Sequence, residues 1–323
     1  MHTSSQFLRT VTLAVFSLLA ADALAAWEKI GTVPSSARAI VLSKAGNAVG
    51  FAADSKGQTL FALDGGVTRT SPLTSAPLFY AYAHDVSGTT ICTAHGRTGT
   101  VSLLCSDSRL VRTGDYPLSF PMSSGALLLP DLMWVVDGSG TLGSREAPLV
   151  ALKRTAGDRW EETARHASPL CRAEDAPLVC SEIEIHPMKE SALAVIPLLG
   201  RFDGEVLRYP TIGIWNPENG SLKHVPVPPV PVPETLRQHY RPLLHAPMRL
   251  VYRSAASSEG QIAVIAVLPS DERAGVKRNQ LWLYDGAVTW KKVIAPAQLN
   301  AVAFLGEVPV VVTTEGIVLR WKP

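Results

Sequence analysis

A short apolar strand running into a tight polar turn recurs along this chain, and its last copy breaks off before a partner strand. Gln280–Tyr284 leads into Asp285-Gly286 and then into Val288–Val293. Gln58–Leu63 leads into Asp64-Gly65-Gly66 in the same way, and Thr211–Trp215 leads into a turn at Asn216–Gly220. Apolar runs of this length bounded by Gly, Asp and Asn read as strands joined by hairpin turns. Gly316–Trp321 starts the phrase again without an outer strand to finish it. At the other end Trp27-Glu28-Lys29-Ile30 carries the pattern of Trp290-Lys291-Lys292-Val293, so the N-terminal strand is expected to supply the missing piece. A chain built this way closes a ring of sheets with its own two ends.

Strand-like runs cover almost the whole chain, and no long amphipathic helix is visible. Grouped by their turns they make units of four strands: Ala39–Thr70, Phe79–Arg112, Ala126–Thr163, Glu182–Val225, Arg249–Val293, and Ala301–Trp321 completed by Trp27–Ile30. Repeats of this size, about 45 residues apart, lie in the range of radial β architectures. Over essentially all of residues 26–323 the chain resembles β-propeller proteins. It carries no Gly-His and Trp-Asp signature of WD40 repeats, no Ser-x-Asp-x-Gly-x-Thr-Trp box and no tryptophan-docking repeat. The resemblance therefore implies an all-β fold, a six-bladed propeller with seven blades also compatible, in a single domain. It implies no chemistry.

Residues 1–25 read as a signal peptide: Arg9 near the start, an apolar run over Val11–Ala21, and the small-residue site Ala23-Leu24-Ala25. That run is shorter than the roughly 20 residues of a comfortable transmembrane helix, and no later run is long enough either. The expected location is periplasmic or secreted. Net charge is +2 with the basic residues scattered, which disfavours nucleic acid as a partner. Four cysteines in an exported chain suggest two disulfides, Cys92–Cys105 and Cys171–Cys180 by local spacing. If Thr98-Gly99 is a two-residue turn, Cys92 falls directly opposite Cys105; a four-residue turn spoils that pairing. Neither pair has Cys-x-x-Cys spacing, so no metal is expected there.

Loops between second and third strands share a face with the connections between units. Short turns are expected at Asp54–Gly57, Gly96–Gly99 and Thr314–Gly316, and long segments at Asp137–Pro148, Leu198–Pro210, Pro269–Asn279, Arg165–Cys180 and Pro226–Met248. Long segments in a compact fold tend to be functional. Pro226–Pro233 alternates proline densely enough for a stiff polyproline II arm, which leads to His239, Tyr240, Arg241 and His245. The other long loops hold Arg145, Arg201, Asp203, Arg208 and Arg273, a mixed-charge set with Arg in excess that suits a polar protein interface or a carboxylate. These nine residues are the candidate binding set. His84-Asp85 and His186 are placed at turns on the opposite side.

No Gly-x-Ser-x-Gly elbow, His-Glu-x-x-His or phosphate-binding loop is present, so no catalytic residue and no cofactor are assigned. The expected function is that of a non-catalytic, monomeric binding or scaffold protein, of immunity or antagonist type in one version, whose partner is another protein or a cell-envelope component. The alternative is a propeller hydrolase or lyase at the channel mouth, using His239, His245 or His95 with Asp137, Asp203 or Asp271.

Overall fold

Ile183–Pro187, Leu193–Pro197 and Ile262–Ala266 are buried at every position, whereas Arg159–His166 and Trp290–Ile294 are mostly exposed. This contrast between strands covered on both faces and strands with one wet face is the radial signature of stacked blades. The computed structural model describes residues 26–322, apart from 56, 75–80, 98–99, 108, 119, 121, 139–147, 156–158, 171–181, 204–205, 209–210, 229–246, 250 and 267–279.

In chain order, β1 (Trp27–Thr32) is followed by a four-stranded blade of β2 (Ala37–Leu42), β3 (Ala48–Asp54), β4 (Gly57–Asp64) and β5 (Val67–Thr74). Next come β6 (Ala81–Asp85), β7 (Thr90–Arg97), β8 (Thr100–Asp107) and β9 (Arg112–Leu118), then β10 (Met122–Leu129), β11 (Leu132–Asp137), β12 (Leu149–Thr155) and β13 (Arg159–His166). β14 (Ile183–Pro187) and β15 (Leu193–Pro197) join β18 (Ile212–Trp215) and β19 (Leu222–Val225), with β16 (Leu199–Asp203) and β17 (Val206–Arg208) inserted between them. After β20 (Pro247–Arg249), a further blade holds β21 (Val251–Ala256), β22 (Ile262–Ala266), β23 (Gln280–Tyr284) and β24 (Trp290–Ile294). The last holds β25 (Leu299–Leu305), β26 (Val308–Thr313) and β27 (Ile317–Trp321), finished by β1. Among the described residues there is no helix, and so none long and apolar enough to cross a membrane.

Six separate blades were expected, and that is corrected here: four four-stranded blades stand alone, while β6–β9 and β10–β13 fuse into one eight-stranded sheet. The joint is a parallel pairing of β6 with β10, Gly125↔Ala83, Ala126↔His84 and Leu127↔Asp85. Small side chains permit it. A Cβ on Gly125 would lie 2.9 Å from the Ala83 Cβ, so glycine lets two first strands approach to pairing distance.

Apolar clusters then tie successive sheets around the ring. Phe51 and Leu60 pack with Ile91; Trp134 and Leu149 with Ile183 and Trp215; Ile196 and Val225 with Ile262 and Trp282; Ile265 and Leu281 with Phe304 and Val311; and Val310 and Val318 with Phe61 and Leu63.

The predicted closure forms. β1 lies antiparallel to β27 with Trp27↔Trp321 and Lys29↔Leu319 in register. Trp27 is buried, meets Trp321 edge-on at 5.1 Å and donates through Nε1 to Ile294 O at 3.0 Å. Glu28 and Arg320 form an ion pair across the same strands. Beyond β1, Val33 N donates to Gly316 O at 2.8 Å; Gly316 has φ +80°, and a Cβ there would sit 2.1 Å from Val33 O.

The recurrent turn also has a mechanism. Asp285 Oδ1 accepts from the main-chain N–H of Ala287, Val288 and Thr289, while Oδ2 accepts from the Thr289 hydroxyl. These donors hold the carboxyl far below the usual carboxylate range. Asn216 repeats the device with Glu218 and Asn219. Cys92 stands opposite Cys105, joined as a disulfide, in the register that the tight turn required. Cys171 and Cys180 lie outside the described residues.

Trp27→Ala costs about 3–5 kcal/mol by loss of a buried indole, a fall of roughly 10 °C in Tm for a chain of this size; an unchanged Tm for a variant lacking Trp27–Thr32 would overturn the closure. Gly125→Val forces β6 and β10 apart and lowers stability by about 1–3 kcal/mol in urea titration.

Candidate functional site

The first strands of successive blades follow one another around the axis: β2 touches β25, β25 touches β21, β21 touches β14, β14 touches β10 and β10 touches β6, while the first two blades meet through β3 and β7. Where apolar side chains fill the spaces between blades, the axis carries a belt of polar ones. Tyr82 and His84 project from β6 at a spacing of two, as do Glu184 and His186 from β14, and Tyr252 and Ser254 from β21. Alternation along a strand puts the β6 pair and the β14 pair each on one face; on β21 a register shift between Val251 and Arg253 interrupts it, and Arg253 and Ser254 both approach Glu184.

These side chains meet across the channel. His84 Nδ1 lies 3.1 Å from Asp85 O, and His84 Nε2 lies 3.2 Å from His186 Nδ1. His186 Nε2 is 2.8 Å from Ser254 Oγ, which is 2.5 Å from Glu184 Oε2; the Ser254 N–H donates to that same Oε2 at 2.9 Å. Arg253 Nη1 stands 4.0 Å from Glu184 Oε1 and donates to Tyr252 O at 2.7 Å, while its Nε donates to Arg38 O at 3.1 Å. Arg38 Nη1 donates to the Tyr252 hydroxyl at 2.9 Å. The belt thus links β2, β6, β14 and β21. Burial lowers the His84 imidazole, and lowers His186 further with help from His84. Burial, reinforced by the Glu184 charge, pushes the Tyr82 phenol far up.

A small open cleft of about 60 Å³ reaches this belt, lined by Lys44, Tyr82, His84, Asp85, Ser254 and Ser257. It opens on the face of the turns that follow the first strands, opposite the long-loop face. His84 and His186 were expected in those turns; they belong instead to β6 and β14 and face each other. Glu184, Ser254 and Arg253 were not singled out. The signal that could have found them is a polar residue two positions from another within an otherwise apolar first strand, as in Tyr82-Ala83-His84 and Glu184-Ile185-His186.

On the long-loop face, Arg201 and Asp203 lie on β16 and Arg208 on β17. Here the ends of two segments expected as separate loops, Leu198–Pro210 and Pro226–Met248, contribute strands to one sheet. β16 pairs with β17 (Arg201↔Arg208) and with β20 (Leu199↔Arg249, Gly200↔Met248, Arg201↔Pro247), making a small three-stranded sheet that the sequence did not reveal. Asp137, buried at the end of β11, pairs with Arg165 at 2.7 Å; Arg165 also holds Glu162 at 2.9 Å, lies 5.4 Å from the Phe120 ring, and lowers the Glu162 carboxyl. His95 is on β7 opposite Ser102. Arg145, His239, Tyr240, Arg241, His245, Asp271 and Arg273 lie outside the described residues. Among the described residues no three His, Cys, Asp or Glu side chains are placed to hold a metal ion.

The chain matches no family model and no curated protein. Solved structures do resemble it. A structural genomics protein of unknown function from Bacteroides thetaiotaomicron aligns with TM-score 0.53 and 9% identity, over 91% of this chain and 70% of that one. The β-propeller domain of Cps50 (Swd1) from Myceliophthora thermophila aligns with TM-score 0.52 and 10% identity, over 91% of this chain and 99% of the other. At such identities the likeness speaks for the fold alone, and the fold is a β-propeller.

Proposed function

We propose that this is an exported, non-catalytic binding or scaffold protein that presents its long-loop face to another protein or to a cell-envelope component. In this reading residues 1–25 are a leader removed on export, and residues 26–323 form one domain acting as a monomer in the periplasm or outside the cell. The eight-stranded sheet counts as two fused blades, giving six. The Cys92–Cys105 disulfide supports an oxidising compartment. An immunity or antagonist role is one version of such a protein.

The observation that carries the reading is the small sheet of β16, β17 and β20. Closing the ring does not require it, yet two segments separated by two blade strands pair with each other to build it. Such an ordered platform costs backbone entropy and offers a pre-formed surface, which lowers the ordering cost of binding. Arg201, Asp203 and Arg208 lie on it, and the segment carrying His239, Tyr240, Arg241 and His245 leads into it.

A second reading, a hydrolase or lyase, has one observation in its favour: Ser254, His186 and Glu184 converge beside a cleft. Against it, the Ser254 hydroxyl donates to Glu184 at 2.5 Å, which leaves its proton away from the His186 base, and the residue is 1% exposed.

The test is cross-linking of the mature protein in envelope extract, beside a variant with 229–246 replaced by a short Gly-Ser linker. Cross-links that map to 199–208 and 247–249 and disappear with the linker support the binding face. Equal capture by both proteins would remove it, and ester or glycoside cleavage abolished by Ser254→Ala would establish the enzyme instead.

A further inference from the structure

The axial hydrogen bonds form one unbroken chain whose two ends both accept. At one end is the main-chain oxygen of Asp85, at the other the Glu184 carboxylate. Between them run four links: Asp85 O to His84, His84 to His186, His186 to Ser254, and Ser254 to Glu184. Each link needs one proton between its heavy atoms. A neutral imidazole brings one, a second imidazole brings another, and the serine hydroxyl brings a third; a carboxylate brings none. With Glu184 ionised and both histidines neutral, the chain is one proton short, and at one link two lone pairs face each other at 3.2 Å or less in a buried site. That arrangement costs the full penalty of unpaired buried groups.

We propose that the belt is a buried binding site for one proton, which locks β6, β14 and β21 together across the channel and which the folded chain retains at neutral and mildly alkaline pH. The fourth proton completes the chain in either of two ways. Glu184 carries it as a carboxylic acid and donates to Ser254, with both imidazoles neutral. Otherwise one imidazole carries it opposite an ionised Glu184. The net charge is the same in both forms, so the site is defined by the number of protons it holds. Its cleft gives protons a path to solvent.

Arg253, 4.0 Å from Glu184 Oε1, favours the ionised carboxylate, while burial drives both imidazoles towards neutrality. Tyr82 is held neutral by burial, and the Tyr252 hydroxyl accepts from Arg38. The Asp85 carboxylate is turned aside, taken by Ser87, by the Thr89 hydroxyl and by the N–H groups of Thr89 and Thr90. Lys44 lines the cleft, β10 contributes Ser124, which accepts from Ile185 N, and β25 contributes only Val302, Ala303 and Phe304 to the cleft wall.

The sign of the pH dependence is fixed by counting. In the unfolded chain the two imidazoles titrate near about 6.5 and the carboxyl near about 4.3. Near pH 6.5 the unfolded residues therefore carry about one proton in total, the same as the folded belt. Below that pH the unfolded chain binds more, so stability rises with pH; above it the unfolded chain binds fewer, so stability falls with pH. The fall tends to about tenfold in the folding constant per pH unit, until the folded site itself lets its proton go. A belt holding no fourth proton would instead gain stability through pH 6.5 and level off.

His84→Phe removes the links to Asp85 O and to His186 Nδ1, so the His186 N–H and the Ser254 hydroxyl serve the two remaining links beside an ionised Glu184, and that belt has no need to bind a further proton. Urea titrations of both proteins between pH 5.5 and 8.5 isolate the site by difference. The expected result is a wild-type folding constant that falls, relative to His84→Phe, by about tenfold per pH unit above about pH 7.5; parallel profiles would overturn the proposal. Should the variant fail to fold, imidazole ¹⁵N and carboxyl ¹³C shifts of the unaltered mature protein at pH 7.5 decide it. One imidazolium, or a protonated Glu184 beside two neutral imidazoles, supports the proton site. Two neutral imidazoles beside an ionised Glu184 would end it.

Discussion

Pairing of β1 with β27 is the contact on which the ring depends. A circular stack of sheets has no natural end, and whichever blade comes last presents an unpaired strand edge to water and to other chains. Here the edge is covered by the strand farthest away in sequence, so the first and last segments must be in place together. Trp27 serves both ends at once: it packs in the cluster that joins the last two blades, and its indole N–H reaches Ile294 in the neighbouring blade. Closure therefore fixes a blade-to-blade contact as well as a strand pair. The apolar clusters between blades are local by comparison, each made from sheets adjacent in the ring.

The axis obeys a different rule. Apolar side chains tolerate small displacements at a cost that grows gradually with lost contact, whereas a buried hydrogen-bonded chain fails at the first unmade link. Glu184, Ser254, His186 and His84 come from three blades, so each link also fixes the separation of two first strands. Their pairing with Arg253 and Arg38 extends that constraint to a fourth strand. The β6·β10 joint acts in the same region by direct main-chain pairing, for which Gly125 leaves room beside Ala83.

Much of the ring could be read from the chain because its determinants are short-range. The Asp285 and Asn216 turns, the Cys92–Cys105 register and the β1 pattern depend on residues a few positions apart or on a repeated phrase. The axial belt could not be read so directly: His84 meets His186 across 102 positions, and His186 meets Ser254 across 68. Nothing in either local sequence specifies the partner, and the alternation of polar residues in first strands was the only trace. The sheet of β16, β17 and β20 was missed for a related reason. Its strands are three to five residues long, lie in segments rich in Pro, Gly and charge, and gain their ladder only from each other. Fusion of β6–β9 with β10–β13 likewise depends on the spacing of two strands at the axis, which no turn signal encodes.

The two faces of the ring are joined through the same pair of strands. At one end, β14 and β21 are tied by Glu184 and His186 to Ser254. At the other, Leu198 bridges them: its N–H donates to Glu182 O at 2.9 Å, and its carbonyl accepts from Val251 N at 3.2 Å. β16 begins at the very next residue, Leu199, and β20 ends two residues before Val251. The small sheet thus grows directly from the strand pair that the belt holds. Any change in the separation of β14 and β21 at the belt must be absorbed within strands of five and six residues, buried at most positions and close-packed against their neighbours, before it reaches Leu198. The small sheet and the axial belt are thus built on the same pair of packed strands, β14 and β21.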